Sequence, residues 1–378
     1  MNPILRYIKN VFAAKRVLGE DRNLTGMVKA DYLLQRLILE KKVPGISISV
    51  IKQGKTVFEK GYGYADLESK RLIDPKTSIF RIASVSKPIA ATALAHMVQE
   101  GNLSLDESFY TYVPDYPKKK WDFTIRQLAG HTAGIRAYKG KEYGLNQPLT
   151  IPKGLEIFKL DPLVYEPGTD YLYNSFDWVM IAAAMQRASG IPFEEYVQKK
   201  VLDPLGMLNT YTPIGHPERG QNETGNDVNS IAKLKHQDLV TTFYTKDRAG
   251  FRKAIPVDNF YKLAGGGYLS TSTDIAKFGQ AFLDKKVMVG EGLLSQFLTA
   301  QSVQGNSTFY GLGWQVSEDV RGRTFFGHVG NGVGGYANFF VYPGQQLVFS
   351  ILINCTDPKI QQELDAVIAC FFENAPSA

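Results

Sequence analysis

The apolar and polar positions of this chain fall into three regimes. Residues 43–63 read Val-Pro-Gly-Ile-Ser-Ile-Ser-Val-Ile-Lys-Gln-Gly-Lys-Thr-Val-Phe-Glu-Lys-Gly-Tyr-Gly, two β-rich runs around a turn containing Gly54, which predicts a hairpin. A long helix is predicted from about Ser84 to Glu100: Ile89, Ala90, Ala93, Leu94, Met97 and Val98 give it a broad apolar face, and Gly101 stops it. Pro88 falls in its first turn, where a missing N–H costs little. From about 102 to 262 the pattern is helical pieces between Pro- and Gly-bearing loops, including the apolar run Trp178 to Ala188, and the expectation is one helical region.

The character then changes. Gly265-Gly266-Gly267-Tyr268-Leu269-Ser270-Thr271 leads into a capped helix from Thr273, and consecutive strands are predicted over Trp314–Val316, Arg323–Phe326, Tyr336–Tyr342 and Gln346–Leu352. A last helix over Lys359–Phe372 would cover one face of that sheet. Strands at both ends around a helical middle imply an α/β domain built from both termini (25–95 and 263–378), a mostly helical insertion (96–262), and a basic amphipathic N-terminal segment (1–24). That segment carries Arg6, Lys9, Lys15 and Arg16 around Ile4, Ile8, Val11 and Phe12. Basic residues interrupt every apolar run before it reaches signal-peptide length, so the segment either docks on its own domain or touches an anionic membrane surface peripherally through residues 1–20.

Composition narrows the function classes. With 378 residues and 44% hydrophobic content, the chain reads as a globular, enzyme-sized protein, and no apolar stretch is long enough to span a bilayer. The net charge of +6 is spread out, and Lys118-Lys119-Lys120 reads as a solvated loop, so nucleic acid is not an expected partner. Five histidines without an H-E-x-x-H, and Cys355 and Cys370 without C-x-x-C spacing, leave no metal site to expect and a disulfide unforced.

The candidate chemistry is Ser84-Val85-Ser86-Lys87, an S-x-x-K spacing that puts hydroxyl and amine on one helical face. A serine is a poor nucleophile until a base takes its proton, and a lysine buried among apolar groups can have its pKa depressed enough to serve. The helix N-terminus adds N–H groups that would face an oxyanion. A second match, Ser230-Ile231-Ala232-Lys233, follows an Asn- and Asp-rich loop and is set aside, because only Ser84 opens an apolar helix after a strand-like run.

Around these residues lie Phe80-Arg81-Ile82-Ala83-Ser84-Val85-Ser86-Lys87-Pro88, Gly101-Asn102-Leu103-Ser104-Leu105-Asp106, Gln127-Leu128-Ala129-Gly130-His131-Thr132-Ala133-Gly134-Ile135 and Pro167-Gly168-Thr169. In that order they resemble the class C β-lactamase and D-alanyl carboxypeptidase group of serine hydrolases. Phe158–Leu163, Tyr171-Leu172-Tyr173 and Tyr261–Gly267 resemble its mitochondrial serine β-lactamase-like branch and bacterial relatives. The resemblance runs from about residue 40 to the C-terminus. It implies a β-lactamase/transpeptidase-like fold, an antiparallel sheet flanked by helices, no cofactor, and relatives that are periplasmic, exported or mitochondrial.

The same resemblance implies the remaining site residues. Tyr173-Asn174-Ser175 stands at the family's Y-x-N: Tyr173 would share proton transfer with Lys87, whose charge should lower the phenol's pKa, and Ser175 replaces the usual amide. His328-Val329-Gly330 stands at the third motif, on a strand expected to face the nucleophile, with His328 lining the site. The N–H groups of Ser84 and Asn331 would form the oxyanion hole. Two patterns are decoys: Gly54-Lys55-Thr56 lacks the first P-loop glycine, and Gly330, Gly332 and Gly335 precede a strand where a dinucleotide site needs a helix.

The expected function is acyl-serine hydrolysis of a peptide, D-Ala-type or other, or of an ester, with slow turnover of β-lactams at most. Ser175 offers less grip on an acylamino side chain, neutral His328 replaces a permanent cation, and Gly265-Gly266-Gly267 is expected to leave an open wall. Rivals are a carboxylesterase for small acyl esters, a true β-lactamase, and a low-activity scaffold or filament protein that keeps the fold. The partner expected is a small-molecule or peptide substrate.

Overall fold

The computed structural model describes residues 23–213 and 237–372. The basic N-terminal segment through residue 22, and the second match at Ser230, lie outside them. The framework is a seven-stranded antiparallel sheet. Helix α1 (Gly26–Leu39) leads into β1 (Gly45–Lys52) and β2 (Lys55–Asp66), the expected hairpin, followed by a short β3 (Arg71–Leu72). The chain returns to the sheet near its end as β8 (Gln315–Glu318), β9 (Thr324–Gly332), β10 (Gly335–Tyr342) and β11 (Leu347–Ile353), giving the order β8-β9-β10-β11-β1-β2-β3. Between these parts run β4 (Phe80–Arg81), α2 (Ser86–Gln99), α3 (Phe176–Ser189), the hairpin β5 (Tyr244–Asp247) and β6 (Gly250–Lys253), β7 (Leu269–Ser270) and α4 (Ser272–Leu283); α5 (Gln361–Ala369) closes the chain.

The central strands β1, β10 and β11 are buried on both faces, and the period of two in them decides what each face meets. On β1, Ile46, Ile48 and Val50 point into a cluster with Leu34 and Leu37 of α1 and Leu364 and Val367 of α5. The intervening Ser47 and Ser49 point the other way, where their hydroxyls meet Ser272 of α4 at 2.7 and 2.9 Å. These small polar residues let α4 lie close to the sheet. Gly279 of α4 shows how close: a Cβ there would stand 2.5 Å from Val348 and 2.8 Å from Phe339.

Behind α4 the core continues without a break into the helical middle of the chain, where α2 and α3 are buried nearly all round, with Trp178 and Trp314 fully enclosed. The middle is not helical throughout. Residues 244–253 form β5–β6, an antiparallel hairpin with Tyr244 bridged to Cys355 beside the sheet. Its polar, charged sequence hides a strand period that a short hairpin hardly needs. Cys355 and Cys370 are buried and form no disulfide. Among the described residues no helix is long and apolar enough to cross a membrane.

Candidate active site

Ser84 is carried on a single 3-10 turn, Ala83–Val85, that precedes α2, so the expected helix start is tighter than an α turn. Ala83 has φ +46°, a left-handed conformation that disfavours a side chain and is held only where packing enforces it. The packing here is glycine on both sides: a Cβ on Gly332 would lie 3.2 Å from that of Ala83, and one on Gly266 would lie 3.5 Å from its backbone. The result is a sharp elbow that presents Ser84 to a cleft.

Four chain segments converge on that hydroxyl. Lys87, from the next turn of α2 and fully buried, lies with Nζ 3.2 Å from Ser84 Oγ and 3.5 Å from Ser175 Oγ, and donates to the Gly265 carbonyl at 2.7 Å. Burial pushes its pKa down to about 7, with the positive charge of Lys262 adding to the effect and Asp177 opposing it. The Tyr173 hydroxyl donates to Ser84 Oγ at 2.9 Å, and the Lys87 ammonium sits 4.8 Å from the Tyr173 ring centroid. Ser84, Lys87, Tyr173 and Ser175 are therefore one constellation, though 88 residues separate Lys87 from Ser175.

The electrostatics of Tyr173 run opposite to the sequence expectation. Burial raises its pKa well above the ordinary phenol value, the bond to Ser84 only partly offsetting this. A lysine that is itself half neutral at pH 7 supplies little charge to stabilise a phenolate, so the resting phenol keeps its proton.

The third-motif strand approaches from the far side. β8 pairs with β9 only as far as Gln315 opposite Gly327; the Val329 N–H is then taken by Gln315 Oε1 at 2.9 Å, and Gly330 after it lies against the Ser84 turn. Gly330 is there for close approach: a Cβ would collide with the Ile82 carbonyl and stand 3.2 Å from the Ser84 nitrogen. Asn331 follows and lines the cleft with Ser84. His328, expected to line the site, lies one layer back. It is 1% exposed, its Nδ1 is 2.7 Å from the Val329 carbonyl, and its Nε2 is 3.0 Å from the Tyr310 hydroxyl. His328 and Gly330, two apart on the strand, share a face, but the His328 ring is covered by Tyr310 and Tyr173 and does not reach the cleft. Burial pushes its pKa down to about 3, so it is neutral.

The wall of the site differs from the expectation, and Tyr138, Tyr143, Asn259, Lys262 and Asp177, which complete it, were not expected in the site from sequence. The Gly265–Gly267 run is a tight wall and not an open one: a Cβ on Gly265 would lie 3.0 Å from the Ser175 carbonyl, and one on Gly267 would lie 2.5 Å from that of Asn259. Tyr138, Tyr143, Asn259 and Lys262 complete a narrow cleft of about 40 Å³. Behind Tyr173, His131 Nδ1 meets Asp177 Oδ2 at 2.7 Å, and Asn174 Nδ2 donates to the same oxygen at 2.8 Å. Burial lifts the Asp177 carboxyl well above its usual range and holds His131 well below its own, so the pair shares a proton without forming an exposed ion pair. The His131 ring packs edge-on against Tyr173 at 4.6 Å and so buttresses it. No periodicity in the sequence links His131 to Asp177; only the family-like stretch at 127–135 marked the histidine. Among the described residues no group of His, Cys, Asp and Glu could hold a metal.

The chain has relatives among known proteins. A family model described as beta-lactamase matches residues 21–371. The chain is similar to the mitochondrial serine beta-lactamase-like protein of Homo sapiens, 31% identical over 321 residues, an alignment covering 66% of this chain and 55% of that protein. It thus spans about half the length of that relative. Among solved structures it is similar to the octameric penicillin-binding protein homologue from Pyrococcus abyssi (TM-score 0.73, 25% identity, 90% of this chain and 76% of that one). It also shares the fold of D-amino acid amidase from Ochrobactrum anthropi SV3 (TM-score 0.74, 19% identity, 90% and 97% covered).

Proposed function

The chain belongs to the beta-lactamase family of serine hydrolases, and from that premise we propose that it hydrolyses peptide or ester bonds through an acyl-enzyme on Ser84, with little or no turnover of β-lactams. The observation that carries this reading is the convergence of Lys87 and Tyr173 on one oxygen, at 3.2 and 2.9 Å, with the lysine's pKa brought down to about 7. In this scheme the neutral Lys87 amine takes the Ser84 proton as Oγ attacks the carbonyl carbon. The developing oxyanion turns to the N–H groups of Ser84 and Asn331, and collapse breaks the bond to the leaving group. Tyr173 gives its proton to that group and is reprotonated by the Lys87 ammonium. Water then adds to the acyl carbon by the same route in reverse and releases Ser84.

The bias against β-lactams is supported by Ser175 in place of an amide, which offers less grip on an acylamino side chain. A fluorophosphonate should label Ser84 and fail to label Ser84→Ala. Equal labelling of both proteins refutes the assignment. On a panel of D-Ala-D-Ala peptides, L-peptides, p-nitrophenyl esters and a chromogenic cephalosporin, the highest kcat/KM should fall on a peptide or an ester; a cephalosporin outrunning all of them makes the protein a true β-lactamase.

A further inference from the structure

Lys262 is only 7% exposed, yet it lines the same cleft as Ser84. Its Nζ has three N–H donors and gives one to a protein acceptor, the Tyr143 carbonyl at 3.2 Å. The rings of Tyr138, Tyr261 and Tyr143 surround it with centroids at 5.2, 5.6 and 5.8 Å. Among the described residues no carboxylate forms an ion pair with it. Asp258, which acts on it at longer range, has Oδ1 taken by the Phe260 N–H, while the nearby Arg81 guanidinium adds positive charge and is anchored on the Val333 carbonyl at 2.7 Å. A buried ammonium is costly unless an acceptor or counter-charge completes it, and the open side of this one is the cleft. The third-motif position cannot play that part, because His328 is neutral and walled off.

We propose that Lys262 is the anion anchor of the cleft, so that the preferred substrates carry a carboxylate close to the scissile carbonyl. This rests on the reading of Ser84 as the acylated residue. The charge meets Lys87 within the cleft, Arg81 and Asp258 from the flank, and the phenols of Tyr138, Tyr143 and Tyr261, which burial keeps protonated; Glu142, farther off, is bound to Arg136 at 2.7 Å. Burial and Arg81 bring the Lys262 pKa down to about 8, so the preference for a carboxylate should fade as pH rises through that value. Titration of Lys87 changes turnover of charged and neutral substrates alike and cancels from their ratio.

Two matched ester pairs test the anchor and locate the carboxylate: mono-p-nitrophenyl succinate against p-nitrophenyl butyrate for the acyl side, and 3-acetoxybenzoate against phenyl acetate for the leaving side. In one pair the charged member should have a kcat/KM ten- to a hundred-fold above the neutral one at pH 7, the range of one charge-assisted contact. That ratio should drop towards one in Lys262→Met and, in the parent protein, above pH 8. Ratios near one in both pairs, or a ratio unchanged by Lys262→Met, overturn the proposal. Calorimetry of succinic acid monoamide on Ser84→Ala reads the anchor without turnover: binding at least tenfold weaker once Lys262→Met is added supports it, and equal binding refutes it. Absent ester turnover together with intact monoamide binding would instead count against the acyl-serine reading alone.

Discussion

Replacing Lys87 by methionine should destroy turnover and make the protein more stable at pH 7. The side chain is fully buried, and its pKa moves from 10.5 to about 7, chiefly by burial. A shift of that size corresponds to about 5 kcal/mol held against the charged form. Methionine fills nearly the same volume and removes that penalty, but it strips the Gly265 carbonyl of its 2.7 Å donor, a loss of roughly 1 to 3 kcal/mol. At pH 7 half of the folded amines are already neutral, which leaves about 4 kcal/mol of that penalty, so the net gain is about 1 to 3 kcal/mol. Its pH dependence has a definite sign. Between about pH 7 and 10.5 the unfolded chain holds a proton on Lys87 that the folded chain has released, so the parent gains stability as pH rises and the advantage of the variant shrinks. Below pH 7 the advantage is constant, and above 10.5 the variant is the less stable of the two because only the lost hydrogen bond remains. Urea denaturation of both proteins at pH 6, 7, 8.5 and 10, beside esterase assays, measures all of this. A variant less stable than the parent at pH 7, or a difference that does not change with pH, would refute the claim that a desolvated amine sits at this site.

With an uncharged ester, kcat/KM should rise with pH about a midpoint near 7, because the neutral Lys87 amine is the acceptor; a flat profile from pH 5.5 to 8.5 removes Lys87 as the base. Tyr173→Phe should cost roughly 10²- to 10⁴-fold in kcat, and the double variant with Lys87→Met much less than the product of the two; fully multiplicative losses would mean that the groups act independently. Gly330→Ala should push β9 away from the Ser84 turn and reduce kcat/KM by about 10²- to 10³-fold, the usual cost of one oxyanion donor. An unchanged rate there means that the strand edge takes no part.

What the sequence by itself determined is whatever local spacing dictates. The alternation of Ile and Ser in β1 required a two-sided strand, and the structure adds only that Ser272 receives the small face. A separation of three residues from Ser84 to Lys87 forces proximity in any helical backbone, so their 3.2 Å contact needed no knowledge of the fold. Tyr173, Ser175 and Gly330 could be named only through family-like stretches, since no period or charge pattern connects residues so far apart. The hairpin at 244–253 and the placement of His328 behind the cleft were illegible because both depend on what the neighbouring elements cover. Tertiary structure alone decided the electrostatics: a lysine in water would lower the pKa of a neighbouring phenol, but in the folded protein desolvation of Tyr173 itself raises it, and desolvation is set by how the chain closes around the site. It also brought the His131–Asp177 pair behind Tyr173 and turned Lys262 into the cleft, since the chain closes those distances only when helix and sheet pack together.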